Sequence, residues 1–143
     1  MIKLIHTSDW HLGLRFCGYD PNQEYELFFT QLTKAVAREK PDALLIVGDV
    51  FDIPIPANDL LERFEHCLTQ LHEACKTMQI IITSGNHDDC QWLEKQAKRW
   101  SEWNVSIIGQ PHKRDSSYDI GRHIIPIQDG KGNIKGYVIG MPY

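Results

Sequence analysis

The sequence has no apolar run approaching the ~20 residues that a membrane-crossing helix needs. Its apolar runs, such as ALLIV at 43–47, are of strand length. The opening MIKLIHTSDW carries charge too early to form the apolar stretch of a signal peptide, so the expected compartment is the cytoplasm, with no membrane association. Cysteine is sparse: Cys17, Cys67, Cys75 and Cys90 show neither C-x-x-C spacing nor a zinc-ribbon pattern. That argues against a disulfide framework and for reduced, mostly packed thiols. Basic excess is also lacking. Fifteen Lys and Arg against 19 Asp and Glu give a net charge of −4, which argues against non-specific electrostatic binding of nucleic acid. A nuclease remains open, because bound divalent cations reverse the field of an acidic site. No repeat, low-complexity tract or linker interrupts the 143 residues. One domain, burying roughly two-thirds of its unfolded surface, is the economical expectation.

Short apolar runs alternate with helical patterns. Residues 2–7 (IKLIHT), 43–47 (ALLIV), 80–83 (IIIT) and 105–108 (VSII) predict strands. Asp20-Pro21 predicts an N-cap and a proline in the first turn of a helix over 21–39. Leu60, Leu61, Phe64, Cys67, Leu68, Leu71 and Cys75 give the stripe of a second helix over 59–77. Trp92, Leu93, Ala97, Trp100 and Trp103 predict a third, with Gln96 a polar interruption. Strands near 118–127 and 134–140, joined by the QDGKGN turn, predict an antiparallel pair. The fold class is α/β: a parallel βαβ sheet flanked by helices, with a C-terminal antiparallel pair.

In parallel sheets of this kind, ligands collect beyond the carboxyl ends of the strands. The first predicted strand exits into SDWHLG, with Asp9 and His11. The second exits into GDVFD, with Asp49 and Asp52, and the third into GNHDD, with Asn86 and His87. The intervals are 49 − 9 = 40 and 86 − 49 = 37 residues, each enough for one helix and one return strand. Neighbouring parallel strands would bring all three clusters to one edge. Asp9 and His11 can share an ion, the two oxygens of Asp49 can bridge a pair of ions, and Asn86 adds a neutral oxygen. Mixed oxygen and nitrogen ligation suits manganese, iron or zinc better than calcium. A cationic His87 beside a phosphate could protonate the leaving oxygen, with Asp52 as the carboxylate that orients it. The chemistry is metal-assisted, in-line hydrolysis of a phosphoester.

These residues resemble the calcineurin-like metallophosphoesterases, whose signature runs D-x-H, G-D-x-x-D, G-N-H-D. The three blocks stand here as Asp9-Trp10-His11, Gly48-Asp49-Val50-Phe51-Asp52 and Gly85-Asn86-His87-Asp88. HTSDWHLG and GDVFD resemble the SbcD branch, the nuclease components of double-strand-break repair and recombination. The resemblance implies a sandwich fold of which this chain supplies the first half. It also implies two divalent ions, most simply manganese, and exonuclease and endonuclease action on DNA ends or hairpins. An SMC-like ATPase partner of the SbcC type and a homodimer built through helices in the 21–39 and 59–77 region complete the expectation. By position, Asp9, His11 and Asp49 would hold the first metal and Asp49 and Asn86 the second, with His87 catalytic and Asp52 its orienting carboxylate. The family completes its site with a later histidine and a G-H-x-H motif that residues 1–143 do not contain. The chain therefore reads as the N-terminal portion of a phosphoesterase domain. A phosphatase or cyclic-nucleotide phosphodiesterase, and a non-catalytic assembly fragment, are the competing readings.

Other polar residues carry plainer expectations. Asp88 and Asp89 read as the start of the third helix. His6 reads as a hydrogen-bonded core histidine, and His112 and His123 as surface or loop histidines. The three later tryptophans read as core, and Arg15 could meet a phosphate.

Overall fold

The computed structural model describes residues 1–114 and 116–143, with Arg114 described by its backbone alone. Strands β1 (Leu4–Thr7), β2 (Ala43–Val47), β3 (Gln79–Thr83) and β4 (Val105–Ile108) form a parallel sheet in the order β1-β2-β3-β4. Strand order equals chain order, so every crossover steps the same way with the same hand. All the helices therefore lie on one face: α1 (Asn22–Glu39), α2 (Asn58–Ala74), α3 (Cys90–Lys95) and α4 (Ala97–Trp100). Leu44, Ile46, Ile80 and Ile82 point into that layer and pack with Phe29, Val36, Phe64, Leu68, Leu71 and Trp100.

Alternate strand residues point the other way. Ala43, Ile81 and Ile108 pack beneath Ile125 and Ile127 of an antiparallel hairpin, β7 (Ile124–Gln128) with β8 (Ile134–Ile139). The molecule thus has three layers, and the helices cover one face of the sheet where flanking by helices was expected. The register is even across the sheet: Thr7 pairs with Ile46, Val47 with Thr83, and Thr83 with Ile108. Three strand exits consequently sit at one edge.

The element ends depart from the sequence expectation in readable ways. Helix α1 starts at Asn22 with Pro21 as N-cap, and the Asp20 carboxylate accepts the Asn22 N–H at 3.2 Å. Helix α2 stops at Ala74. The third predicted helix breaks at Gln96, whose N–H turns to Leu93 O (3.0 Å) and whose amide donates to Trp92 O (3.1 Å). A 3-10 turn at Ser101–Trp103 follows α4. The tryptophans are core as expected: Trp100 is fully buried, and Trp92 and Trp103 pack against the same cluster. The strand expected from 118 begins only at 124. Ile120–His123 is a 3-10 turn, and β6 (Ser117–Tyr118) pairs with β5 (Lys113–Arg114). His6 is exposed on the hairpin side of β1 rather than buried. His123 is the buried one, because it lies beneath the end of the hairpin. Its Nε2 accepts the His112 N–H (3.2 Å) and its Nδ1 meets Gly140 O (3.0 Å).

Candidate metal centre

Pairing between β1 and β2 continues past the strands into the loops that follow. Asp9 N–H reaches Gly48 O (3.2 Å), His11 N–H reaches Asp49 O (2.9 Å), Leu12 N–H reaches Val50 O (3.0 Å), and Asp52 N–H returns to Leu12 O (3.0 Å). Gly48 N–H in turn donates to Thr83 O (3.0 Å), joining β3 to the assembly. Within this lattice Asp9, His11 and Asp49 adopt φ of 54°, 44° and 51°. Left-handed backbone costs a non-glycine residue roughly 1–2 kcal/mol and persists only where the surroundings impose it. All three of these strained residues belong to the predicted ligand set.

Two further side chains fix the loops. The Asp88 carboxylate accepts N–H bonds from Gly85 (2.9 Å), Phe51 (3.1 Å) and Val50 (3.3 Å), clamping the β3 exit to the β2 exit. Asp88 therefore holds the site together and leaves the start of α3 to Asp89, which caps it by accepting the Trp92 N–H (2.8 Å). The Tyr25 hydroxyl donates to His11 O (2.6 Å) from α1, and burial pushes its pKa above the usual phenol value, so it stays a donor. Gly85 is required by contact: a Cβ there would fall on Asp49 Oδ1 and on the Asp49 backbone nitrogen.

The side chains meet as follows. His11 Nε2 lies 3.9 Å from Asp9 Oδ1 and 4.0 Å from Asp49 Oδ2. Atoms bound to one ion at ~2.0–2.2 Å can be at most ~4.4 Å apart, so both spacings fit a shared divalent cation. Asp49 spends its other oxygen on the His87 N–H (2.9 Å), which locks the carboxylate's direction. Asp52 stands between two imidazoles, with Oδ1 3.1 Å from His11 Nδ1 and 3.6 Å from His87 Nδ1. The two rings meet edge-on, with centroids 4.8 Å apart. A proton on His11 Nδ1 donated to Asp52 leaves the Nε2 lone pair facing Asp9 and Asp49, the usual arrangement behind a ligating histidine. Asn86 sits exposed in the same turn as His87, whose side chain is itself 41% exposed. His112 and His123 stand apart from this edge and pair with Glu94 and Gly140.

Sequence reasoning missed the Asp88 clamp, the Tyr25 contact and the bond from His11 to Asp52. The last aspartate of GNHD was the available signal for Asp88. The others depend on loops meeting across 14 and 41 residues of chain.

Known proteins resemble this chain in sequence and fold. The sequence pattern of the Calcineurin-like phosphoesterase family matches residues 2–137. The chain is 33% identical over 142 residues to the SbcD protein of the nuclease SbcCD from Rhodobacter capsulatus, covering 99% of this chain and 35% of that protein. It is 33% identical over 107 residues to the protein of the same name in Staphylococcus epidermidis, covering 75% of this chain and 28% of that one. The chain thus spans about a third of the length of these relatives. The crystal structure of the Pseudomonas putida nuclease MPE superposes with a TM-score of 0.51 and 16% identity, over 79% of this chain and 50% of that one, a likeness of fold. With three signature blocks at three strand ends and a family pattern running nearly end to end, the chain belongs to the calcineurin-like phosphoesterase family.

Proposed function

We propose that this chain contributes the leading metal ligands and the proton donor of a nuclease that hydrolyses DNA phosphodiesters. The observation that carries this reading is the Asp9–His11–Asp49 donor set, whose ligand atoms lie within 4.8 Å of one another, adjoined by an exposed His87. Its support as a nuclease is the name borne by the two relatives, each the SbcD protein of a nuclease SbcCD. Asp9, His11 and Asp49 would hold one divalent ion, and Asp49 with Asn86 a second, with manganese the proposed metal. When bound, the ions would neutralise the phosphoryl oxygens and lower the pKa of an attacking water. His87, held through its backbone by Asp49 and flanked by Asp52, would bear the proton for the leaving oxygen. Asp52 serves as the positioning carboxylate for both imidazoles. An SMC-like ATPase of the SbcC type, self-association through α1 and α2 and a cytoplasmic site of action complete the proposal.

The test pairs binding with cleavage. Manganese titration followed by electron paramagnetic resonance should show an ion bound by the chain and lost in Asp49→Ala, while His87→Ala retains it. Cleavage of a DNA hairpin or end should require manganese and fall by at least ~10²-fold in His87→Ala. Hydrolysis of small phosphate esters with DNA left intact would replace the nuclease reading with a phosphatase.

A further inference from the structure

Residues 14–19 leave the His11 turn as a tight hairpin. Leu14 N–H donates to His11 O (3.0 Å), and Phe16 and Tyr19 exchange both backbone hydrogen bonds (3.2 and 2.8 Å). Between them Cys17 and Gly18 have φ of 50° and 83°. Positive φ at both central residues is the geometry whose twist suits a two-residue hairpin. Residues that exchange both bonds stand directly opposite, with side chains on the same face. The hairpin therefore carries two aromatic side chains on one face. Neither serves the core: Phe16 is 73% exposed and Tyr19 56%. The Tyr19 hydroxyl is bonded to Glu24 of α1, which fixes that ring relative to the body of the protein.

The hairpin's position gives the platform a use. Gly13, Leu14 and Arg15 at its base share a surface cavity with Ile53, the residue after Asp52, and with Leu60. Phe16 lies five residues beyond His11, a reach of at most ~18 Å. With a net charge of −4, the chain gains little from general attraction to phosphate. Stacking can hold the strand beyond the reach of the ions, and every base offers a π-face. Two rings on one face match the area of one or two bases and are far smaller than a protein–protein interface.

We propose that Phe16 and Tyr19 form a platform on which an unpaired nucleobase stacks beside the metal centre, with exposed Arg15 toward its phosphate. This rests on the nuclease reading and adds a preference for ends carrying unpaired nucleotides. Fluorescence anisotropy with cleavage-resistant phosphorothioate oligonucleotides, single-stranded-tailed and blunt, tests it in the intact chain. Phe16→Ala should weaken binding of the tailed DNA about five- to a hundredfold and leave blunt DNA unmoved. Phe16→Leu, which keeps apolar bulk without the π-face, should fail similarly, and Phe16→Trp should bind at least as tightly as the parent. Unchanged tail affinity in Phe16→Ala, or full affinity in Phe16→Leu, overturns the platform while leaving the nuclease reading intact. A parent chain that binds neither DNA overturns the nuclease reading and the platform with it.

Discussion

Asp49 divides its carboxylate between two tasks. Oδ1 is held by the His87 N–H, and Oδ2 faces His11 across the donor set. That arrangement exists only because Gly85 has no side chain. Gly85→Ala should therefore displace the carboxylate and lower manganese affinity at least about tenfold (~1.4 kcal/mol), measured by manganese titration, even if the chain stays folded. At this scale the motif residues were legible because each block pairs an unusual polar word with an apolar strand before it. Asp88 was not, since its partners are backbone N–H groups, two of them 37 and 38 residues away, and no side-chain pattern announces them. Asp52 was read as serving His87, whereas the geometry gives its shorter bond to His11.

Helix α3 is short and depends on what lies beyond it. Glu94 accepts hydrogen bonds from His112 Nε2 (2.7 Å), Gln110 Nε2 (3.0 Å) and the Gly109 N–H (3.2 Å), tying α3 to the chain after β4. Burial pushes the Glu94 carboxyl upward, but its bonds to Gln110 and His112 outweigh burial and leave it below its ordinary value of 4.5. A folded pKa below the unfolded one adds stability above about pH 4.5, lost as pH falls through the folded value. The urea midpoint of the parent should thus drop more steeply than that of Glu94→Gln on acidification from about pH 6 to about pH 3. The four parallel strands were legible from their apolar runs. The break at Gln96 was not, because the tryptophan spacing on either side continues one helical stripe. His6 and His123 exchanged roles for a related reason: sequence shows which residues alternate across a sheet but not how far a later hairpin extends over its second face.

Two cores share one sheet, and they are unequal. The helix-side cluster contains most of the fully buried side chains, while the hairpin-side cluster has five buried residues. Leu4, Val47 and Ile139 stay 45%, 39% and 61% exposed near its margin. Amide hydrogen exchange should accordingly be slowest for Leu44, Ile46 and Ile80–Ile82 of the central strands. It should be faster by at least about tenfold for β8, which opens without disturbing the larger cluster. Sequence carried the family and the edge where the site forms. It did not carry the one-sided helix layer, which follows from strand order and the fixed hand of crossovers. One buried side chain links these scales. Trp10 sits in the chain between Asp9 and His11, its indole donates to Thr7 Oγ1 (2.9 Å), and its ring packs against Phe28, Phe29 and Phe64. From Phe64 the aromatic contacts run on to Trp100 and Trp92. The molecule therefore has a built-in optical reporter: a paramagnetic ion at the strand edge would quench the Trp10 indole first, and transfer directly between indoles would let Trp92 and Trp100 lose intensity with it.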